Sequence, residues 1–221
     1  MKIKSINLIL VLTAAVVFVY AFFIYDKDKP TRVLPIFGQK QYEAQKGKTD
    51  TTFHTIQNFR FTNQDGKEVT QDDFKGSIYV TDFFFTTCRS ICPVMSNQME
   101  KVYLKYKGNK EVKFLSHTVD PETDTIEQLK AYAIQHHAAT DQWMFVTGEK
   151  KSLYEIARTG YLLNAEQGDG GPDDFIHTQN FALIDKDKRI RGFYDGTDST
   201  DIHHLMTDIE LLLAEYKYKE K

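Results

Sequence analysis

The sequence of 221 residues contains only two cysteines, five prolines and one tryptophan. Two cysteines are too few for a small disulfide-stapled scaffold or for a zinc site built from four thiolates. Neither sign of charge predominates, because 28 lysines and arginines face 31 aspartates and glutamates, which gives a net charge of −3. This balance argues against a protein that binds nucleic-acid phosphates. With 41% hydrophobic residues, the chain is predicted to be globular, and its two cysteines require an explanation.

An uncharged and largely apolar segment runs from Ser5 to Tyr25. About 20 helical residues cover the roughly 30 Å hydrocarbon core of a bilayer, so residues 1–25 are predicted to form a single transmembrane helix. A cleavable signal peptide is the alternative, but its apolar region would be shorter and would end in a small-x-small site. Lys2 and Lys4 precede the segment and favour a cytoplasmic N-terminus. We therefore expect a single-pass protein of a bacterial inner membrane, with its C-terminal domain in the periplasm.

The rest of the chain divides into a polar spacer and one folded domain. Residues 26–52 are rich in lysine and glutamine and are predicted to be a spacer that separates the domain from the membrane. Over residues 53–221, strand and helix patterns alternate. We predict strands at 59–61, 77–85, 112–119, 143–146, 181–185 and 189–194, and helices at 93–107, 125–138, 149–159 and 201–216. This order predicts an α/β fold, namely a thioredoxin-like mixed sheet flanked by helices, with an N-terminal hairpin added.

Both cysteines lie where a buried strand gives way to a helix, in the segment Cys88-Arg89-Ser90-Ile91-Cys92-Pro93. Proline is tolerated in the first turn of a helix, and unpaired N–H groups at a helix N-terminus favour a thiolate. A structural disulfide is the alternative, but closing so short a loop would contribute only about 2 kcal/mol. Two cysteines at a strand-to-helix junction are more typical of a chemically active site than of a structural disulfide. Three intervening residues allow a disulfide, and they also allow two sulfurs to bind one metal ion.

One of the seven histidines is a candidate for a third ligand. His177 lies in Phe175-Ile176-His177-Thr178, where the final hairpin begins after a glycine-rich loop. In a thioredoxin-like sheet the loop entering this strand faces the cysteine helix, so His177 is expected near the cysteines. The other histidines are predicted to be surface, interhelical or hydrogen-bonded core residues: His54, His117, His136, His137, His203 and His204.

Three other side chains near the cysteines have less specific interpretations. Met95 and Met99 recur at helical spacing and are predicted to pack in the core. Asp82 lies near the end of the strand that precedes the cysteines. Its carboxylate is expected either to influence the protonation of the cysteines or to be solvated or capped.

Several of these segments together resemble the Sco/SenC family. They are DFFFTTCRSICPVM at 82–95, VDPETDT at 119–125, the tryptophan segment that ends in Thr147-Gly148, and the histidine at 177. Members of that family resemble thioredoxin in fold and deliver copper to the binuclear copper centre of cytochrome c oxidase. The resemblance covers about residues 53–215 and implies that Cys88, Cys92 and His177 bind copper. Many relatives have an aspartate immediately before the histidine, where this chain has Ile176, with Asp173 and Asp174 further back.

The donor set that the resemblance implies is suited to copper. Two thiolates are soft donors that favour Cu(I), and an imidazole allows the same site to hold Cu(II). The thiols must be reduced before they bind the ion, which couples copper loading to the redox balance of the periplasm.

Two functions from different classes follow. The first is a metallochaperone that transfers copper to the copper-acceptor subunit of cytochrome c oxidase and requires His177. The second is a thiol:disulfide reductase that uses only Cys88 and Cys92, keeps a partner protein's cysteines reduced, and is itself reduced by a periplasmic thiol reductant. A peroxidase, with one thiolate and one resolving thiol, is a third alternative, although the sequence shows no dedicated hydroperoxide pocket.

Overall fold

The structure, a computed structural model, describes residues 11–20, 32–45, 48–163, 171, 176 and 178–220. The chain divides into two compact units, which are Leu34–Ile209 and a smaller unit formed by Met1–Val33 with Glu210–Lys221. The helices and strands, in chain order, are α1 (residues 11–20), β1 (Lys40–Gln45), β2 (Lys48–Phe53), β3 (Arg60–Asn63), β4 (Glu68–Thr70), β5 (Ile78–Phe84), α2 (Ile91–Tyr106), β6 (Val112–Thr118), α3 (Ile126–Gln135), β7 (Trp143–Thr147), α4 (Lys150–Glu155), β8 (Asn180–Ile184), β9 (Ile190–Asp195) and α5 (Ser199–Lys219).

A seven-stranded mixed sheet organises the larger unit. Its strands lie in the order β4-β3-β7-β6-β5-β8-β9. The three central strands β5, β6 and β7 run parallel, while β3 and β4 on one side and β8 and β9 on the other are antiparallel to their neighbours. The parallel strands are joined by helical crossovers, as parallel pairing requires. The predicted N-terminal hairpin is β3–β4, which extends this sheet through β7.

All seven residues of β5 are buried, because helices cover both faces of the sheet. Phe83 packs in a core cluster on one face, where Tyr161 follows α4. Phe84 points to the opposite face and stacks on Tyr132 of α3, with ring centroids 5.1 Å apart. The predicted thioredoxin-like α/β architecture, with its alternation of strands and helices, is confirmed.

Part of the predicted spacer at 26–52 has regular structure. Strands β1 and β2 form an antiparallel two-stranded sheet whose register runs from Lys40 opposite Phe53 to Gln45 opposite Lys48. The segment before β1 also contacts the domain, because Arg191 donates hydrogen bonds to the carbonyl oxygen of Leu34 at 2.8 Å and to that of Pro35 at 3.1 Å. Backbone pairing needs no apolar side chains. A polar hairpin therefore lacks the alternation of apolar and polar residues from which strands are predicted.

The helix predicted at 149–159 changes its winding partway along. After α4, residues Ile156–Gly160 form a π-helical turn in which the N–H of Tyr161 donates to the carbonyl of Ile156 at 2.8 Å. The wider turn ends with Tyr161 fully buried in the core beside β5. Position 161 is therefore fixed by packing and not by helical periodicity.

The N-terminal helix α1 is apolar, and its side chains are exposed; Val16, for example, is 66% exposed. Within the described ranges, no helix combines the length and the apolar character needed to cross a membrane. The predicted anchor at 1–25 extends on both sides of α1 into residues outside the described ones.

Asp185 and Arg191 form an ion pair that is almost completely buried. Arg191 donates from Nη1 to Asp185 Oδ2 at 3.0 Å, and Arg189 donates from Nε to the same oxygen at 2.9 Å. We expect Asp185→Asn to lower the free energy of unfolding by about 3 kcal/mol, because the Arg191 charge would stay buried without a carboxylate. Urea denaturation measures this loss.

Asp187→Asn is the matched control for this experiment. The Asp187 carboxylate contacts the same Arg189 but is 56% exposed, so its loss should cost less than about 1 kcal/mol. Equal losses in the two variants would contradict the assignment of the buried pair as the stabilising one.

Candidate functional site

The two cysteines lie on opposite sides of the start of α2. Cys88 is partly exposed in the loop after β5, where its N–H donates to the carbonyl of Phe85 at 3.2 Å and closes a turn. Helix α2 begins at Ile91, two residues before the predicted start, so Cys92 lies inside the first helical turn and is only 4% exposed. Both cysteines are free thiols. The Cys88 thiol is therefore accessible to solvent, and the Cys92 thiol is buried.

Both thiols line one small cavity of about 80 Å³. Aromatic and aliphatic side chains make up most of the described wall, and the described residues that line it are Phe83, Phe84, Phe85, Cys88, Ser90, Ile91, Cys92, Val119, Ile176 and Thr178. Ile176 and Thr178 are the immediate chain neighbours of His177. His177 itself lies outside the described residues, as do Asp173 and Asp174. The fold thus brings the two residues on either side of the predicted third ligand to the cavity of the two cysteines.

The pKa values of the two thiols are shifted in opposite directions. Burial opposes ionisation of Cys88, but hydrogen bonds from the Cys92 thiol, from the N–H groups of Ser90 and Cys92 and from the Ser90 hydroxyl lower its pKa from 9.0 to about 7. Burial raises the pKa of Cys92 to about 12, and the hydrogen bond with Cys88 acts in the same direction. Near neutral pH, Cys88 therefore carries the reactive thiolate while Cys92 keeps its proton.

Asp82 is neither solvated nor capped. Its side chain is buried within the sheet, and its Oδ1 has no hydrogen-bond partner among the described residues. Burial raises the pKa of this carboxyl to about 7. A hydrogen bond with Ser116, which pairs with Asp82 from the neighbouring strand β6, lowers the pKa of the carboxyl. Its negative charge contributes to the raised pKa of Cys92. Of the two expectations for Asp82, the structure therefore supports an influence on the cysteines.

The two methionines of α2 and the described histidines pack in the core, hydrogen-bond to other residues or lie on the surface, and none of them lines the cavity. Met95 and Met99 are fully buried in α2, as predicted. His117 is buried against Phe83, and burial lowers its pKa to about 3. Other histidines have partners away from the cavity or lie on exposed helix surface: His54 (Gly160 carbonyl), His136 and His137 (Glu100), His203 and His204 (α5). In the part of the chain that the structure describes, no three His, Cys, Asp or Glu residues form a group that could hold a metal.

Sequence reasoning missed the contribution of Ser90. Its N–H and its hydroxyl both hydrogen-bond to Cys88, with 3.6 Å between Ser90 Oγ and Cys88 Sγ. The available signal was its place between the two cysteines, at the N-cap position of α2, where serine is common.

The fold and the paired thiols define a thioredoxin-like dithiol protein. The SCO1/SenC family model matches residues 47–214, which is more than half of the chain. The SCO1 protein homolog of Bacillus subtilis (strain 168) is 33% identical over 163 residues, which are 73% of this chain and 84% of that protein. The chain belongs to the SCO1/SenC family.

Two solved structures are similar to this chain. A SCO1/SenC family lipoprotein from Bacillus anthracis str. Ames has 33% identity and a TM-score of 0.62, and the match covers 72% of this chain and 95% of that one. BsSco, a member of the Sco family of cytochrome c oxidase assembly proteins in which a disulfide switch was identified, has 31% identity and a TM-score of 0.61. That match covers 72% of this chain and 93% of BsSco.

The opposite pKa shifts predict that the two thiols react at different pH. Alkylation of Cys88 by iodoacetamide should rise through about pH 7, because the thiolate is the nucleophile, while Cys92 stays unmodified over that range. Peptide mass spectrometry after timed alkylation measures both rates.

Variants at Cys92 test the cause of the lowered pKa of Cys88. Cys92→Ala removes a hydrogen-bond donor and should move the Cys88 profile to higher pH, whereas Cys92→Ser retains an O–H donor and should move it less. Equal reactivity of the two cysteines in the native parent would contradict the assignment.

Proposed function

We propose that this protein is a copper metallochaperone that binds one copper ion through Cys88, Cys92 and His177 and delivers it to the copper-acceptor subunit of cytochrome c oxidase. Membership of the SCO1/SenC family supports this function, and BsSco is described as a cytochrome c oxidase assembly protein. The observation that carries the proposal is the cavity lined by both cysteines and by Ile176 and Thr178, on either side of His177.

The chemistry of the cavity fits copper as cargo. Two sulfurs and one ring nitrogen are soft and borderline donors, which suit copper better than hard cations such as Mg²⁺ or Ca²⁺. Phe83, Phe84 and Phe85 line the cavity and limit the access of water to the sulfurs. Cys88 is partly exposed, so an acceptor protein can reach one ligand while the other is still buried. A site with few ligands and one accessible sulfur suits a carrier that must release its ion.

Copper titration of the full chain tests the proposal. The reduced protein, purified in detergent, should bind one copper ion and show an intense visible thiolate-to-Cu(II) absorption band. Cys88→Ser and Cys92→Ser should lose the band, because each removes a sulfur ligand. His177→Ala should weaken copper binding by at least about tenfold, which corresponds to about 1.4 kcal/mol.

His203→Ala is the control for loss of a histidine, because His203 lies on the exposed surface of α5 and should leave copper binding unchanged. If His177→Ala binds copper as the parent does, the proposed ligand set is wrong. If neither cysteine variant changes binding, the metallochaperone proposal itself is wrong.

The asymmetry of the thiols favours thiol:disulfide reductase as a second candidate function. The Cys88 thiolate would attack a disulfide of a partner protein and form a mixed disulfide with release of one thiol. Cys92 would then lose its proton and attack the Cys88 sulfur, which releases the second partner thiol and leaves a Cys88–Cys92 disulfide. Two electrons pass to the partner. Reductase activity that requires both cysteines, together with copper binding that ignores His177, would favour this function.

We also propose that residues 1–25 anchor the chain in a bacterial inner membrane with the C-terminal domain in the periplasm. The proposal is supported by the uncharged run from Ser5 to Tyr25 and by the exposed apolar side chains of α1. Full-length protein should resist carbonate extraction from membranes. Replacing Val16 and Val17 with aspartate should release it, because each charge at the centre of a span costs about 3 kcal/mol.

Replacing Lys27 and Lys29 with aspartate is the control, since both lie beyond the predicted span and should leave extraction unchanged. Release of the parent protein by carbonate would contradict the anchor. Digestion of the domain by protease in intact spheroplasts is expected, and protection there would contradict the periplasmic location.

A further inference from the structure

The segment at 119–125 lies between β6 and α3 and carries part of the family resemblance. It folds into a tight turn, because the carbonyl of Asp120 accepts the N–H of Thr123 at 3.2 Å and the N–H of Asp124 at 2.8 Å. Thr125 then caps α3 by accepting the N–H of Gln128. The turn is therefore held at both ends, and the Asp124 residue that it presents is completely buried.

The Asp124 carboxylate joins the ends of two neighbouring parallel strands. It accepts the N–H of Thr86 at 3.2 Å to each oxygen and also the Thr86 hydroxyl, and Oδ2 accepts the Thr118 hydroxyl. Thr118 ends β6 and pairs with Phe84 at the end of β5. Among the described residues, every hydrogen-bond partner of this carboxylate is a donor. An asparagine amide would offer one acceptor oxygen and turn its NH₂ group towards a donor, so a carboxylate fits this position and an amide does not.

Thr86 connects Asp124 to both thiols. It is the second residue of the turn in which the N–H of Cys88 donates to the carbonyl of Phe85 at 3.2 Å. Phe85 also makes a backbone hydrogen bond with the Cys92 thiol. The carbonyl of Phe85, which accepts the N–H of Cys88, and the N–H of Thr86, which donates to Asp124, belong to the same peptide unit. The residue that makes the backbone hydrogen bond to Cys92, Phe85, lies at one end of this unit. A displacement of Thr86 would change the position of one sulfur relative to the other.

We propose that Asp124 is a positioning residue of the dithiol, which fixes the turn at 85–88 through Thr86 and so sets the placement of Cys88 relative to Cys92. It does not line the cavity, and it acts through Thr86. The consequence for copper rests on the proposed function, whereas the consequence for disulfide formation does not. The competing interpretation is that Asp124 stabilises the domain without any influence on the thiols.

The equilibrium with glutathione separates these two interpretations. In this reaction the protein dithiol and one glutathione disulfide give the protein disulfide and two reduced glutathiones, so that two electrons and two protons pass to glutathione. In the full chain, Asp124→Asn should shift the equilibrium constant towards the dithiol by about fivefold or more, because a looser turn lowers the effective concentration of one thiol at the other. Thiol alkylation and mass spectrometry measure the two forms.

Asp185→Asn is the matched control. Asp185 is also a buried aspartate with several hydrogen-bond donors, but it lies in the turn between β8 and β9. This variant should lose stability and yet leave the glutathione equilibrium within about twofold of the parent, since the effect of distant sites is usually independent. A comparable shift in Asp185→Asn would show that the equilibrium follows stability alone, and would overturn the proposal.

Thr86→Val provides a second test that preserves the carboxylate. It removes only the hydroxyl that Asp124 accepts and keeps the side-chain shape and the N–H. We expect a shift in the same direction of about two- to threefold, since one of several hydrogen bonds is lost. Thr70→Val is its control, because the Thr70 hydroxyl donates to the exposed Asp73 at 3.2 Å and should leave the equilibrium unchanged. If Asp124→Asn fails to fold, the comparison of these two threonine variants decides.

Copper-loaded protein gives an independent readout. The thiolate-to-Cu(II) band of Asp124→Asn should shift in energy relative to the parent, because the angle and distance of one sulfur ligand change. A parent that binds no copper would contradict the proposed function and leave the glutathione test of Asp124 intact. Folded Asp124→Asn and Thr86→Val variants with the glutathione equilibrium of the parent would overturn the role of Asp124.

Discussion

The burial of β5 on both faces is the constraint on which the dithiol depends. Helices pack against each face of the sheet, so every residue of this strand is buried. The strand ends at Phe84, where the chain leaves the core. The turn at 85–88 follows at once, and α2 begins at Ile91. Cys88 consequently stays outside the helix and Cys92 lies inside its first turn. The two residues are four apart in sequence, yet their environments differ.

This difference makes one pair of thiols suitable for either of the two proposed functions, copper transfer and thiol exchange. Hydrogen bonds lower the pKa of the accessible Cys88 to about 7, and burial raises that of Cys92 to about 12. A partner that approaches from solvent meets the ionised sulfur first, whether it brings a disulfide or accepts a metal ion. The neighbouring Asp82 carboxylate opposes ionisation of Cys92. Donor chemistry alone therefore does not separate the two functions, and the third ligand must do so.

Particular residues show how far the sequence could predict the site. The pairing of Cys88 with Cys92 followed from local order, since a strand-to-helix junction is a short-range feature with its own residue pattern. The approach of residues 176 and 178 to the cysteines was expected from the thioredoxin-like sheet, and these residues do line the cavity. The contact between Asp124 and Thr86 was not predicted, because it joins residues 38 apart through two loops whose geometry no periodicity encodes. The polar hairpin β1–β2 was missed because it lacks an apolar alternation.

The sequence by itself determined the elements that periodicity and composition encode: the strands, the helices, the junction that carries Cys88 and Cys92, and the family to which the chain belongs. These are consequences of neighbouring residues, which repeat at fixed spacing along each element. Only the tertiary structure decided how far each thiol is buried and that a buried Asp82 carboxyl acts on Cys92. It also decided that Asp124 hydrogen-bonds both to Thr86 in the cysteine turn and to Thr118 of β6. Burial and hydrogen bonding depend on groups that are distant in sequence, so their effect on a thiol is set when the sheet and its helices pack together.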